Sequence, residues 1–293
     1  MPESRIQECA ECHNGPADSR TPLGVAIMSI YERNNIHIVG TGSKTMLFAH
    51  GYGCDQIMWR HFVPAFQNDY RIVLFDHVGA GRSDTSQYSR DKYGTLQGYA
   101  NDVLEIIDAV SGAPVIFIGH SVSAMIGVLA ANERPQAFEH LIMVGPSPCY
   151  INDGDYVGGF TKSDIDSLLQ TLAENHLGWS RAMAPVIMKN EDRPELADEL
   201  AESFCRTDPE IARHFARVTF LSDNRTDLAS VSVPSLVLQC SDDSIAPLEV
   251  GDFVHRNIPG SSLVRLRATG HCPHLSGPVE TTQIIKEYLL GRA

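Results

Sequence analysis

Short apolar runs punctuate the chain at Thr45–Ala49, Arg71–Phe75, Pro114–Ile118, Leu141–Val144, Ser235–Leu238 and Leu263–Leu266. They are rich in Val, Ile, Leu and Phe, and several end at Gly, Asp or His. Runs without polar alternation suit strands buried on both faces of a parallel sheet. Helical spacings lie between them. Tyr99–Val110 repeats Val103, Leu104, Ile106, Ile107 and Val110, and Val279–Leu290 repeats Ile284, Ile285, Tyr288 and Leu289. Val122–Ala131 is small and apolar throughout, which predicts a buried helix. Strands alternating with helices predict an α/β fold with a mostly parallel sheet. Ser29–Val39 alternates weakly around Asn34-Asn35, which predicts a β-hairpin.

One interval breaks the alternation. Between Cys149 and Ser222 no convincing strand is found, while Asp164–Leu172, Gly178–Ile187, Glu195–Phe204 and Pro209–Phe220 all read as helices. That is too long for a simple crossover. It predicts a helical cap, residues 149–222, inserted after the sixth strand and laid over the C-terminal edge of the sheet. The core is then residues 28–148 and 223–293. Residues 1–27 are polar and show no apolar period, so they are expected to be a disordered extension.

Composition narrows the function. The 293 residues are 43% hydrophobic, enough for a large core, and 36 Asp and Glu against 23 Lys and Arg give a net charge of −13. Such a surface argues against nucleic acid or an anionic membrane as partner, since both need basic patches. No run approaches the ~20 apolar residues of a spanning helix. The N-terminus has no apolar signal-peptide core. The expectation is a soluble, cytoplasmic protein, monomeric, whose seven cysteines are free thiols.

The chemistry starts at Gly119-His120-Ser121-Val122-Ser123, between a strand and a small-residue helix. The elbow motif G-x-S-x-G places a nucleophilic serine at such an apex, and here Ser123 stands in place of the last glycine. Ser121 needs a base. Among twelve histidines, His271 follows the last strand in Ala268-Thr269-Gly270-His271, at the same sheet end as Ser121; His274 is the runner-up. The base needs a carboxylate, and Ser241-Asp242-Asp243 follows an earlier strand. Asp243 is preferred, with Asp242 capping or facing solvent. The order Ser, Asp, His is that of the G-x-S-x-G elbow enzymes. The oxyanion donors expected are the Val122 N–H, at a helix N-terminus, and the Tyr52 N–H in His50-Gly51-Tyr52-Gly53. The Tyr52 ring is expected over the pocket floor. Trp179, Phe204, Phe215 and Phe220 read as cap core.

Several stretches carry a narrower likeness. They are Gly51-Tyr52-Gly53-Cys54-Asp55-Gln56, Phe75-Asp76-His77-Val78-Gly79, Gly119-His120-Ser121-Val122, Met143-Val144-Gly145-Pro146-Ser147-Pro148-Cys149-Tyr150, Gln239-Cys240-Ser241-Asp242-Asp243 and Gly270-His271-Cys272-Pro273-His274. On these, residues 28–293 resemble the α/β-hydrolases of the RsbQ type, relatives of the plant strigolactone and karrikin receptors. The resemblance implies an α/β-hydrolase fold with a four-helix cap and an apolar pocket. It implies a Ser121, Asp243, His271 triad and no cofactor. It also implies a small apolar ester- or lactone-like ligand and a role as positive regulator of a stress sigma factor, working with a partner phosphatase. The alternative is a plain metabolic carboxylesterase. Two departures stand out: Ser123 in the elbow, and residues 1–27, since Met28 falls where such chains begin.

Two competing signals are weaker. Cys9-Ala10-Glu11-Cys12-His13 matches the c-type haem pattern C-x-x-C-H, but 27 polar residues cannot bury a haem, so no cofactor or metal is expected. Gly79-Ala80-Gly81 lacks the third glycine of a dinucleotide site and reads as a structural turn.

Overall fold

The computed structural model describes residues 29–291. Seven strands form one sheet: β1 (His37–Val39), β2 (Lys44–Ala49), β3 (Tyr70–Leu74), β4 (Val115–His120), β5 (Phe138–Val144), β6 (Ser235–Asp242) and β7 (Ser262–Thr269). Their spatial order is β1-β3-β2-β4-β5-β6-β7, and only β1 runs antiparallel to its neighbour.

The apolar runs become strands because both of their faces are covered. Successive side chains point to opposite faces. Leu47, Phe117, Leu141, Met143 and Val237 join the core on one face, and Met46, Phe48, Ile116, Ile118, Ile142, Leu236 and Leu238 join the core on the other. The first face is covered by α1 (Leu96–Val110) and α2 (Val122–Glu133). The second is covered by Trp59, Phe62, Phe66 and, from the C-terminal helix described below, Ile285. A strand with no polar face reads as an unbroken apolar run.

Four consecutive helices form the cap: α3 (Lys162–Glu174), α4 (His176–Met188), α5 (Pro194–Arg206) and α6 (Pro209–Phe220). Their apolar residues, among them Ile165, Leu172, Trp179, Leu200 and Phe220, form one core with Cys54, Met58, Ile245 and Leu275 of the sheet domain. Helices α7 (Leu248–Asn257) and α8 (Pro278–Leu289) complete the sheet domain.

The hairpin expected at Ser29–Val39 is not formed. Ile30–Arg33 is a helical turn whose N-cap Ser29 and Glu32 bond reciprocally in a capping box, and only His37–Val39 is a strand. The cap therefore follows the fifth strand, not the sixth. Ser29-x-x-Glu32 is itself the sequence signature of that helix start. Residues 1–27, with the Cys9–His13 motif, lie outside the described residues, as does Met28. Among the described residues no helix is long and apolar enough to cross a membrane, and no cluster of three or more His, Cys, Asp or Glu is placed to hold a metal ion.

Candidate active site

Three loops converge at the C-terminal end of the sheet. The first is the turn from β4 into α2. Ser121 sits at its apex with φ 55° and ψ −123°, a backbone conformation that L-residues rarely adopt and that persists only where the surroundings enforce it. The enforcement is visible. The Ser121 N–H donates to the Val144 carbonyl at 2.8 Å. Gly119 lies so close to α2 that a Cβ there would meet the Ser123 carbonyl oxygen at 2.5 Å. Strand and helix can approach this closely only with glycine at that point.

The second loop follows β7 and carries His271. Its Nε2 lies 2.7 Å from Ser121 Oγ, and its Nδ1 lies 2.7 Å from Asp243 Oδ2. A carboxylate oxygen only accepts, so Nδ1 carries the proton and Nε2 faces the serine hydroxyl as acceptor. The third loop follows β6 and holds Asp243. Its other oxygen accepts from the Ile245 and Ala246 amides at 2.8 and 3.1 Å. Burial pushes this carboxyl up, but the facing His271, as charge and as donor, and the two amides outweigh burial and hold it below its ordinary value. Asp242 lies at the surface, paired with Lys189. The sequence left both aspartates in the loop; the structure puts Asp243 on the histidine.

His274 is not within this relay. It is buried between Trp59 and His120, at ring distances of 4.8 and 4.4 Å, and burial drives its pKa well below the ordinary imidazole value. His120 is likewise buried, pushed down to about 3 by burial and by the neighbouring His271. Its Nε2 donates to the His271 carbonyl at 2.9 Å.

The cap reaches the histidine from above. The His271 N–H donates to the Ile187 carbonyl at 2.9 Å. Gly270 has φ 77°, and a Cβ on it would stand 2.0 Å from the Met188 carbonyl oxygen. Gly270→Ala is expected to cost about 3 kcal/mol, through left-handed strain plus the clash, and to lower Tm by about 5–10 °C. Differential scanning calorimetry checks this; an unchanged Tm contradicts the close approach.

The loop after β2 completes the site. Among the described residues neither the Tyr52 nor the Val122 N–H has a backbone or side-chain acceptor, so both amides are available as oxyanion donors. The Tyr52 ring packs against Trp179, Phe204, Phe215 and Phe220 at centroid distances of 5.7–6.3 Å, and its hydroxyl donates to the Ala212 carbonyl of α6 at 3.1 Å. Trp179, Phe204 and Phe220, read as cap core, also wall a cavity that Ser121 and His271 open onto; Phe215 packs into the sheet-domain core instead. The cavity is tight, with a volume of about 30 Å³. Cys54 and Cys272 line it as buried free thiols. The Trp179 indole N–H and the Thr219 hydroxyl, which also belong to the lining residues, are buried without a partner among the described residues. The two glycines of Gly79-Ala80-Gly81 form a turn with φ 97° and 54°. The Asp76 carboxylate braces it through the Arg82 and Gln56 amides.

A seven-stranded sheet with this elbow and a helical cap defines a class, and comparison with known proteins agrees with it. Residues 46–284 match the model of the Alpha/beta hydrolase family, and the chain belongs to that family. Among curated proteins it is similar to Karrikin insensitive 2 receptor CA of Petunia hybrida. The two are 38% identical over 250 residues, which is 85% of this chain and 93% of the relative. It is also similar to a strigolactone esterase of Arabidopsis thaliana, 35% identical over 262 residues, 89% of this chain and 98% of the relative. Among solved structures, a hydrolase from Oleispira antarctica superposes with a TM-score of 0.87 at 41% identity, covering 89% of this chain and 96% of that one.

Proposed function

We propose that the protein is a serine hydrolase acting on a small, mostly apolar ester or lactone. The observation that carries this reading is the continuous Asp243–His271–Ser121 hydrogen-bond relay opening onto the aromatic cavity. In the proposed reaction His271 Nε2 takes the Ser121 proton as Oγ attacks the carbonyl carbon. The carbonyl electrons move onto oxygen, where the Tyr52 and Val122 amides stabilise them. Collapse breaks the bond to the leaving oxygen, which receives the proton from His271. Water, deprotonated by the same histidine, then releases the acid and restores Ser121. With a lactone the two products stay joined as one hydroxy acid.

The cavity supports a narrow substrate range. Its walls are aromatic and tight, so short or flat acyl groups are favoured. The free Trp179 N–H and Thr219 hydroxyl favour a substrate with an acceptor oxygen beyond the reacting carbonyl, since an unpaired buried donor is costly. Activity on p-nitrophenyl esters is expected to fall steeply from acetate to octanoate. Trp179→Ala is expected to raise the octanoate-to-acetate ratio of kcat/KM about tenfold or more, since burying added methylenes is worth about 0.8 kcal/mol each. An unchanged chain-length profile removes this cavity as the acyl site.

A second reading concerns signalling. The curated relatives include proteins named as receptors and as esterases, and the Gly-Pro-Ser-Pro-Cys-Tyr run, residues 145–150, resembles the RsbQ type. On that basis we also propose an RsbQ-like role, in which turnover of a small ligand in the cavity alters binding to a regulatory phosphatase. Capture from the native lysate on wild type and on Ser121→Ala, with and without ligand, tests it. A phosphatase held in a ligand- and Ser121-dependent way supports the role. Ready ester turnover with no such partner leaves a metabolic carboxylesterase.

A further inference from the structure

Resting on that reading of Ser121 and its two amide donors, we propose that Ser123 is a positioning residue that staples the two halves of the oxyanion hole together. Ser123 directly follows Val122, the donor on α2. Its side chain is fully buried, and its Oγ donates to the His50 carbonyl at 2.5 Å. His50 lies two residues before Tyr52, the donor on the loop after β2. One hydroxyl therefore ties the turn after β4 to the loop after β2. The same oxygen accepts from His77 Nε2 at 2.8 Å, which fixes the direction of its own proton, because the His50 carbonyl can only accept.

The rest of the loop converts that tie into an orientation for Tyr52. The His77 N–H donates to His50 Nε2 at 3.1 Å, so His50 carries its proton on Nδ1 and donates it to the Gly51 carbonyl at 2.9 Å. The Cys54 N–H donates to the same carbonyl at 3.3 Å. The Gly51 C=O and the Tyr52 N–H belong to one planar trans peptide and point in opposite directions. Holding the carbonyl therefore aims the amide. His50 is thus held at its carbonyl by Ser123 and at both ring nitrogens, and the ring in turn aims the Tyr52 donor. The elbow motif ordinarily has glycine at position 123, so the hydroxyl is not required for close strand–helix packing. Its buried partners account for its presence.

The test uses a matched pair of esters with the same acyl and leaving groups, one with C=O and one with C=S. Sulfur is a poor acceptor for amide donors, so a tight oxyanion hole makes the oxo ester much the better substrate. Ser123→Ala is expected to lower kcat for the oxo ester about 10–100-fold, with KM within about twofold and the thiono rate nearly unchanged, short of the ~10²–10³ of losing a donor outright. The oxo-to-thiono ratio should fall by the same factor. That ratio does not depend on how much enzyme is folded. Ser123→Gly carries the same measurement if Ser123→Ala folds poorly. An equal loss on both esters, or an unchanged ratio, overturns the staple. A wild type inactive on both esters, or activity that survives Ser121→Ala, overturns the hydrolase reading itself, so the two failures are distinguishable.

Discussion

Ser121→Ala is expected to reduce ester turnover by about 10⁴–10⁶-fold, the range seen when the nucleophile of such a relay is removed. The fold should be untouched. Oγ makes its hydrogen bond to His271 Nε2, and that nitrogen faces the cavity, where water can satisfy it. Alanine tolerates the φ of 55° no worse than serine does. Steady-state rates on p-nitrophenyl acetate, together with a melting curve, check both halves. Turnover within tenfold of wild type, on a folded protein, contradicts the role proposed for Ser121.

The second large effect is an acid instability set by three histidines. His77, His120 and His274 are buried, and burial drives each below the ordinary imidazole value, His120 to about 3. The fold holds them neutral, whereas the unfolded chain protonates them at about pH 6.5. Below that pH the unfolded state binds more protons, so stability falls as pH falls. Three such groups remove about 3 kcal/mol between pH 6.5 and 5.5 and about 5 kcal/mol by pH 5. Asp243, also held below its ordinary value, adds loss in the same direction, beginning only near pH 4. Against a typical total of about 5–15 kcal/mol, unfolding is expected between about pH 4 and 5. Urea midpoints measured from pH 7.5 to 5 check this. His274→Phe, which keeps a ring against Trp59, should reduce the slope by about one proton. A flat midpoint across that range contradicts three neutral buried imidazoles.

The sequence was most legible where a residue's surroundings repeat. Strands β2, β4 and β6 are buried on both faces along most of their length, so their runs stand out without any knowledge of partners, whereas the edge strand β7 fully buries only Leu266. Ser121, Asp243 and His271 each follow a strand, which places them at one end of the sheet. The structure brings these three side chains together at hydrogen-bond distance. The choice between Asp242 and Asp243 depends on which side of the β6 loop faces inward, where one residue step reverses the answer. At Ser29–Val39 weak alternation over a short segment points to a hairpin, while the Ser29–Glu32 capping signal marks the helical turn that forms. Helix α7 is faint in the sequence, because Leu248, Val250 and Val254 carry only a partial helical period. The His50–Ser123–His77 network was not legible at all. Its members come from three separate strand ends, and Ser123 reads in isolation as a small residue replacing a glycine. The cavity walls were half legible: Trp179, Phe204 and Phe220 stood out as apolar, but only the packing of three cap helices shows that they face Ser121 as well as one another.

Ser121 is expected to form a covalent bond to an acyl group delivered into the aromatic cavity. Acid quench of the protein during turnover of an activated ester, followed by intact mass and peptide mapping, tests it most directly. A single acyl adduct is expected on the peptide containing Ser121, and none in Ser121→Ala. An adduct on another residue, or steady turnover with no acyl-enzyme and no loss in Ser121→Ala, would contradict it.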